Sequence, residues 1–300
     1  MNDNCHICKS KSSFFMNKDG FVLYRCPSCH LVFMNPLPEQ SFLNTDIYSI
    51  ESGYQSNKAK DLSVTVPVKK TKDILNFLQK INLGKKILDV GCSNGEFLYH
   101  AKKSGFESFG VELNKRTADI AVSNGIRVFN GLLQNAGFEN NFFDVIFLGD
   151  IIEHVLSPRD FIKECNRLIH KNGIIIISTP NLDCLWSRFT LMLFKIFGIP
   201  WSSVTPPYHT FQFSENNLDI LMSEQGFKKE ISWFYKPPRL MYELGSLHLL
   251  KKYKNQKTIK NLFFMLYAFS AYSITYLFVV CTGFFRRKDF SMISIYKKNE

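Results

Sequence analysis

The sequence lacks the features that mark low-complexity and nucleic-acid-binding proteins. It contains no internal repeat, no low-complexity segment, and no block of basic residues interleaved with aromatic residues as in a single-strand nucleic-acid platform. Acidic residues are in deficit, with 26 Asp and Glu against 37 Lys and Arg, so the net charge is +11. This excess predicts an anionic partner, namely a nucleotide-diphosphate substrate, an anionic lipid surface or nucleic acid, unless the chain is merely rich in lysine.

The sequence also lacks the N-terminal pattern of a secretory signal peptide, because its first residues are polar. We therefore expect a cytoplasmic protein whose thiols stay reduced. Its 300 residues are enough for a complete α/β core and a small additional module.

Four of the eight cysteines form two closely spaced pairs near the N-terminus. Cys5 and Cys8 have two residues between them, as do Cys26 and Cys29, and 17 residues separate the pairs. This spacing predicts a four-cysteine ribbon over residues 1–40 that binds one structural zinc ion with no open coordination position. Disulfides and a rubredoxin-like iron site are the alternatives. The neighbouring histidines are expected to be bystanders, and these are His6 and His30.

Residues 87–98 have the pattern of a buried strand, a glycine turn and the start of a helix. An apolar run leads into Gly91, and Gly95 lies four positions later. Such a turn brings the backbone close to a ligand and exposes the N–H groups of the following helix. The three-glycine dinucleotide fingerprint does not fit, because Ser93 and Glu96 occupy two of its glycine positions.

An acid follows at the distance where a βαβ unit binds ribose. Residues 109–112 have the pattern of the next strand, and Glu112 ends it, 21 residues after Gly91. A carboxylate at this place can accept hydrogen bonds from both ribose hydroxyls of a nucleotide. The alternative is a solvated glutamate at a strand end.

The following residues alternate between strand and helix patterns. Asn114 is predicted to cap a helix over 115–123, and Ser157 with Pro158 begins a helix that Gly173 ends. Further elements are predicted as strands over 126–129, 142–148, 174–177 and 290–296 and a helix over 215–224. This order predicts an α/β fold with a doubly wound, mostly parallel, Rossmann-like sheet whose ligands bind beyond the carboxyl ends of the strands.

Four short motifs carry a resemblance to a known family. They are Phe143-Asp-Val-Ile, Asp150-x-x-Glu-His154, Leu168 followed by Asn172-Gly173, and Ser178-Thr-Pro-Asn181. With the glycine turn, they resemble the class I S-adenosylmethionine (SAM)-dependent methyltransferases, in the branch of ubiquinone-type O-methyltransferases and zinc-ribbon sugar methyltransferases. The resemblance implies a seven-stranded sheet and SAM as the methyl donor. It also implies that SAM is held by Asp89, Gly91, Cys92, Ser93, Gly95, Glu112, Leu113, Asn130 and Asp150.

One loop departs from the family pattern. Many relatives have an aspartate after the third strand that binds the adenine amino group, whereas this chain has Asn130-Gly-Leu-Leu-Gln134. Any adenine contact in this loop is therefore expected from the backbone or from Asn130.

The segment after the fourth strand is expected to carry the catalytic groups. The resemblance to sugar methyltransferases implies that His154 is the base, with Glu153 and Asp150 beside it. In ubiquinone-type relatives the acids and the histidine can instead hold a divalent ion that lowers the pKa of the acceptor hydroxyl. A purely structural alternative is that Glu153 and His154 cap the next helix. Tyr208 and His209 are further candidates, because relatives line the acceptor pocket with a similar loop.

Residues 262–285 form a run of 24 residues without a charge, which is long enough to span a bilayer. Both flanks are basic, however, and the strand predicted beyond the run belongs to the cytoplasmic sheet, so an interfacial element satisfies the pattern better than a span. The aromatic segment 185–201 is a second candidate for membrane contact. The alternative is that the two segments pack together as a lid over the site.

These observations divide the chain into five regions. We predict a zinc ribbon over 1–40 and a linker or active-site cap over 41–70 that contains Tyr48 and Tyr54. A SAM-binding core follows over 71–235, a hydrophobic helical insertion over 236–288, and a last strand with a tail over 289–300. The predicted function is methyl transfer to a small-molecule or lipid-linked acceptor, with a carbohydrate of cell-surface polysaccharide biosynthesis favoured. Nucleic acid is not the expected partner. The alternatives are an rRNA base methyltransferase and a non-catalytic membrane-associated binding protein.

Overall fold

The structure is a computed structural model that describes residues 3–39, 59–81, 83–235, 240, 244, 258–283 and 289–299. Tyr48 and Tyr54 lie outside the described residues. The strands are β1 (Ser13–Lys18), β2 (Phe21–Arg25), β3 (Val32–Met34), β4 (Lys86–Val90), β5 (Glu107–Glu112), β6 (Arg127–Asn130), β7 (Phe143–Gly149), β8 (Ile169–Pro180), β9 (Phe211–Gln212), β10 (Phe227–Tyr235) and β11 (Ser291–Lys298). The α-helices are α1 (Lys69–Ile81), α2 (Glu96–Lys103), α3 (Lys115–Ser123), α4 (Pro158–Leu168), α5 (Leu185–Phe197), α6 (Glu215–Glu224) and α7 (Ile259–Gly283).

Seven strands form the predicted central sheet in the order β10-β11-β8-β7-β4-β5-β6. The pairs from β8 to β6 are parallel, and β11 lies antiparallel between β8 and β10. This arrangement confirms the doubly wound, mostly parallel fold and the last antiparallel strand. The carboxyl ends of β4, β5, β7 and β8 therefore meet at one edge, where an α/β sheet binds its ligands.

Local signals set the helix boundaries close to their predicted places. The side chain of Asn114 accepts a hydrogen bond from the Thr117 N–H and caps α3, which has the predicted bounds. Helix α4 begins at Pro158 after Ser157, but the Ser157 hydroxyl donates to Asp160 rather than capping a backbone N–H.

The prediction that Gly173 ends a helix is wrong. Helix α4 ends at Leu168, and the chain enters β8 directly because Ile169 pairs with Phe143 of β7. Gly173 lies inside β8, where a Cβ atom would come within 3.0 Å of the Asp144 and His170 carbonyl oxygens. Because Gly173 has no side chain, the backbone at Asp144 and His170 can approach it closely, at an irregularity of the strand.

The cysteine-rich segment is joined to the second half of the chain rather than folded apart from it. Strands β1, β2 and β3 form an antiparallel sheet whose fourth strand, β9, comes from the second half of the chain. Phe33 of β3 and Phe211 of β9 stack in the core cluster that also contains sheet residues. The Lys18 ammonium donates to the carbonyl oxygens of Trp201 and Val204, which fixes the chain that leads to β9.

Helices α5 and α7 pack against each other beside the sheet. Ring contacts join Trp186 with Tyr272 at 5.5 Å and Phe189 with Phe278 at 5.1 Å. Within the described part of the chain, residues 259–281 of α7 are a stretch of 23 residues with a mean hydropathy of 1.7, long and apolar enough to cross a membrane. Only 22% of its most apolar window is buried. The two segments therefore pack together, as the lid alternative requires, but much of α7 remains uncovered.

Candidate functional site

The glycine turn after β4 is fixed by the strand beside it. The N–H groups of Gly91 and Cys92 both donate to the Val111 carbonyl oxygen, at 2.8 and 3.1 Å. Gly91 has a φ of 76°, and a Cβ atom there would lie 3.0 Å from the Ile151 side chain. Glycine is thus required by both its backbone conformation and the close approach of the segment after β7.

Glu112 joins two loops at the end of β5. One carboxylate oxygen accepts from the Ser93 N–H and the other from the Asn114 N–H, each at 2.7 Å. The side chain is 6% exposed and lines a cavity of about 830 Å³. Each carboxylate oxygen has two acceptor positions, so this geometry is compatible with hydrogen bonds to a ligand's hydroxyl groups.

The cavity brings together some of the predicted residues and leaves others outside. Its wall includes Gly91, Ser93, Glu112, Leu113, Asp150 and His154. It does not include the other predicted residues, namely Asp89, Cys92, Gly95, Asn130, Glu153, Tyr208 and His209. Asp89 and Cys92 are buried behind the wall, where burial raises the pKa of both groups and the charge of Glu112 raises that of Asp89 further. Gly95 faces α3, where a Cβ atom would lie 2.8 Å from that of Ala121.

The loop after β6 approaches the cavity with different residues from those expected. The Asn130 amide donates to the carbonyl oxygens of Glu112 and Leu113, at 2.8 and 3.0 Å, and so supports the loop. Leu132, Leu133 and Gln134 line the cavity instead. The sequence analysis does not predict Gln134 as a site residue, although it lies in the loop that lacks the adenine-binding aspartate of many relatives.

Asp150 lies at the end of β7 and is held by two polar side chains. One carboxylate oxygen accepts from the Ser178 hydroxyl at 2.6 Å, and the other is 3.0 Å from the Lys70 ammonium. Burial acts to raise the pKa of Asp150, but the charge of Lys70 and these hydrogen bonds outweigh it and lower the pKa. No local signal identifies Lys70, because it lies on α1, 80 positions before Asp150.

Glu153 is the most confined carboxyl group at this edge. It is 1% exposed, and neither carboxyl oxygen has a hydrogen-bond partner among the described residues. Burial, and secondly the charge of Asp150, raises the pKa of Glu153 to about 8. The group therefore binds a proton over a wide pH range in which Asp150 remains ionised.

His154 is oriented by a backbone carbonyl group. Its Nδ1 lies 2.6 Å from the Tyr208 carbonyl oxygen, and because that oxygen can only accept, Nδ1 must carry the proton. The basic lone pair is then on Nε2. Burial lowers the pKa of His154, so the neutral ring predominates near neutral pH. Tyr208 contributes this carbonyl oxygen, while its side chain is 45% exposed.

His209 packs against His154, with ring centroids 4.9 Å apart. Burial and the neighbouring histidine lower the pKa of His209 to about 3, so it stays neutral. The possible ligand atoms of Glu153, His154 and His209 all lie within 4.8 Å of one another. One carboxylate and two imidazoles form a ligand set that suits a divalent transition-metal ion.

The four N-terminal cysteines also converge. The sulfur atoms of Cys5, Cys8, Cys26 and Cys29 lie within 4.8 Å of one another, and two of the S–S separations are 3.5 and 3.4 Å. These separations are close to those around a tetrahedral ion with metal–sulfur distances of about 2.3 Å. His6 instead packs edge-on against Phe33 and Phe211, which agrees with its predicted bystander role.

Comparison with known proteins identifies the family of this chain. The model of the methyltransferase domain family matches residues 65–230. The ubiquinone biosynthesis O-methyltransferase of Actinobacillus pleuropneumoniae serotype 7 is 30% identical over 116 residues, which cover 34% of this chain and 50% of that protein. The Pasteurella multocida enzyme of the same name is 32% identical over 114 residues, which cover 33% and 47%. The chain thus spans about half the length of the curated relatives it matches.

Among solved structures, phosphoethanolamine N-methyltransferase 2 of Haemonchus contortus in complex with S-adenosyl-L-methionine has a TM-score of 0.53. The two chains are 14% identical, and the match covers 90% of this chain and 62% of that one, which shows a shared fold. The match to the family model extends over more than half of the sequence. The chain therefore belongs to the methyltransferase domain family and has the class I SAM-dependent methyltransferase fold.

The raised pKa of Glu153 predicts a pH dependence of stability. Between its ordinary pKa of 4.5 and about 8, the folded chain retains a proton that the unfolded chain releases, so the free energy of unfolding falls as pH rises. Glu153→Gln should make this fall shallower and stabilise the protein at pH 8–9 relative to the parent. Urea unfolding at several pH values, without added divalent ions, checks this, with the exposed Glu139→Gln as control. An equally steep fall in Glu153→Gln would contradict it.

Proposed function

We propose that this member of the methyltransferase domain family transfers a methyl group from SAM to a hydroxyl group of a small-molecule acceptor. The observation that carries the proposal is that one cavity of about 830 Å³ has Glu112 in its wall at the end of β5 and His154 after the end of β7. A ribose-binding acid and a neutral base thus face the same space. The volume lies within the usual range for small-molecule sites.

The residues present fit SAM. Glu112, together with the turn at Gly91 and Ser93, would hold the ribose, while Leu113 and Gln134 would contact the base. When bound, SAM supplies an electrophilic methyl group on a sulfonium ion. The ionised Asp150 would favour this positive charge by attraction across the same cavity.

His154 would take the proton of the acceptor hydroxyl at Nε2, because Nδ1 is committed to the Tyr208 carbonyl oxygen. Because Glu153 and His209 are neutral, the positive charge that develops on His154 would be stabilised by Asp150, an ionised carboxylate that also pairs with Lys70. In a second mechanism Glu153, after release of its proton, would hold a divalent ion together with His154 and His209, and the ion would lower the pKa of the acceptor hydroxyl. The convergence of their possible ligand atoms within 4.8 Å supports this alternative.

We further propose that the acceptor is lipid-linked and carries a carbohydrate, and that the enzyme works at the cytoplasmic face of a membrane. The support is an exposed apolar surface made by α5 and α7. Its large side chains are each at least 44% exposed and are Met192, Ile196, Phe197, Phe263, Leu266, Tyr267, Ile274, Leu277, Phe278 and Val280. So large an apolar surface suits a lipid interface better than water. The relatives named above are O-methyltransferases of ubiquinone biosynthesis.

We also propose that Cys5, Cys8, Cys26 and Cys29 hold one structural zinc ion. Their sulfur atoms have the required mutual separations, and the short strands around them have little core of their own. Through β3 and β9 this ion would also support the loop that carries His209.

SAM binding is expected to depend on the charge of Glu112. Glu112→Gln places an amide N–H group against a backbone N–H group and removes a charged acceptor, so SAM affinity should fall about 10–100-fold. Calorimetric titration measures this. Glu107→Gln, an acid at the start of the same strand that pairs with Arg127, is the control and should bind like the parent. Binding of NAD without binding of SAM would refute the proposal.

Metal analysis tests the cysteine site. We expect one zinc ion per chain, and Cys26→Ser should release it and make the ribbon sensitive to protease while the sheet domain still binds SAM. Cys281→Ser, which changes an exposed cysteine on α7, should keep the metal. Protein purified without oxygen that contains neither zinc nor iron would exclude this site.

Vesicle sedimentation tests the apolar surface. The double variant Ile274→Ser and Leu277→Ser should bind anionic vesicles more weakly, because it removes two exposed apolar side chains from α7. Salt should weaken binding of the parent without abolishing it, since the apolar contribution is not screened. Val64→Ser with Val66→Ser is the control, because these valines are equally exposed elsewhere. A parent protein that stays in solution with vesicles present would contradict membrane attachment.

A further inference from the structure

A second cavity, of about 480 Å³, lies between the ribbon and α5. Its wall is formed by side chains from β1, β2, the second cysteine pair, the loop after β8, α5 and the start of α6. Leu182 belongs to this wall and follows the end of β8 by two residues, and Ser214 follows His209 by five. The cavity therefore lies near the edge of the sheet that carries the catalytic groups.

Arg25 contributes a positive charge to this cavity. Its Nε atom is buried and has no hydrogen-bond partner among the described residues, and no carboxylate of the described residues forms an ion pair with its guanidinium group. The contact that the structure gives is with the Phe15 ring, 5.6 Å from the Arg25 Cζ atom. A buried donor is normally paired, so the unpaired Nε–H group of Arg25 in a cavity wall points to a ligand that accepts hydrogen bonds.

The other polar groups of the wall support an anionic ligand. Ser187 is 1% exposed, and its hydroxyl group has no partner among the described residues. Arg188 also lines the cavity, paired at 2.6 Å with Asp183, the acid in the wall. The side chains of the wall thus carry one more arginine than they have acids. Phe15 and Trp201, with ring centroids 5.9 Å apart, provide an apolar wall beside these donors.

We propose that this cavity binds a phosphate or diphosphate group of the methyl acceptor, with Arg25 and Ser187 as its principal donors. The proposal rests on the function proposed above and specifies the acceptor as a phosphate ester. A guanidinium fork matches phosphate geometry, and a hydroxyl group beside it supplies a further hydrogen bond. The phosphate can come from a soluble nucleotide-linked acceptor or from an isoprenoid-linked one, and both present the same group to Arg25.

Calorimetric titration of the full chain with inorganic pyrophosphate, in a non-ionic detergent without phosphate, tests the proposal. Arg25→Gln should weaken pyrophosphate binding at least about tenfold, as expected when a charged hydrogen bond is lost. Ser187→Ala should weaken it less. Arg127→Gln changes an exposed arginine of β6 that pairs with Glu107, and it should bind like the parent. No binding by the parent, or equal binding by Arg25→Gln, overturns the proposal.

Two further measurements separate this site from the others. Glu112→Gln should lose SAM affinity but keep pyrophosphate binding, whereas Arg25→Gln should do the reverse, so failure of one proposal does not imply failure of the other. If Arg25 instead only balances the charge of the cysteine thiolates, Arg25→Gln will lose zinc together with pyrophosphate binding, which overturns the proposal. Competition by uridine diphosphate supports a soluble source, and competition by farnesyl phosphate supports an isoprenoid source.

Discussion

The carbonyl group of Glu153 is the point on which the arrangement of the site depends. Its oxygen accepts from the N–H groups of Thr210 and Phe211 at 2.9 and 3.2 Å, and from the Thr210 hydroxyl at 3.0 Å. These bonds fix the loop before β9 to the end of β7. Because Phe211 also pairs with Phe33 of the ribbon, the same bonds join the ribbon to the edge of the sheet that carries His154. The position of His209 against His154 follows from them.

Burial then gives neighbouring groups of similar chemistry different protonation states. Asp150 stays ionised because Lys70 and Ser178 stabilise its charge, whereas Glu153, one turn away, has a pKa of about 8. His154 is kept neutral and given a defined tautomer by one carbonyl group. An ionised acid, a neutral acid and a neutral base thus occupy one small region, which is the distribution that proton transfer from an acceptor requires.

The sequence predicts those parts of the molecule whose signals are local. The spacing from Gly91 to Glu112 places two loops that do meet, because a βαβ unit has nearly constant dimensions. Gly173 was misassigned, since a glycine after an amphipathic pattern resembles a helix end but can equally serve a strand irregularity. Lys70 and Arg25 could not have been found from the sequence. Their importance arises from contacts or cavities formed by segments that lie far apart in the chain. The local pattern of residues around Lys70 or Arg25 does not indicate such contacts.

We propose that this edge of the sheet transfers a methyl group from SAM, and an assay of methyl transfer tests this proposal directly. SAM labelled in its methyl group would be supplied with separate pools of nucleotide sugars, polyprenyl-linked sugars, membrane lipid extract and RNA. We expect label in one of the small-molecule or lipid-linked pools, and a loss of labelling in His154→Gln that exceeds any loss of SAM binding. Label in RNA, no transfer to any pool, or equal transfer by His154→Gln would contradict it.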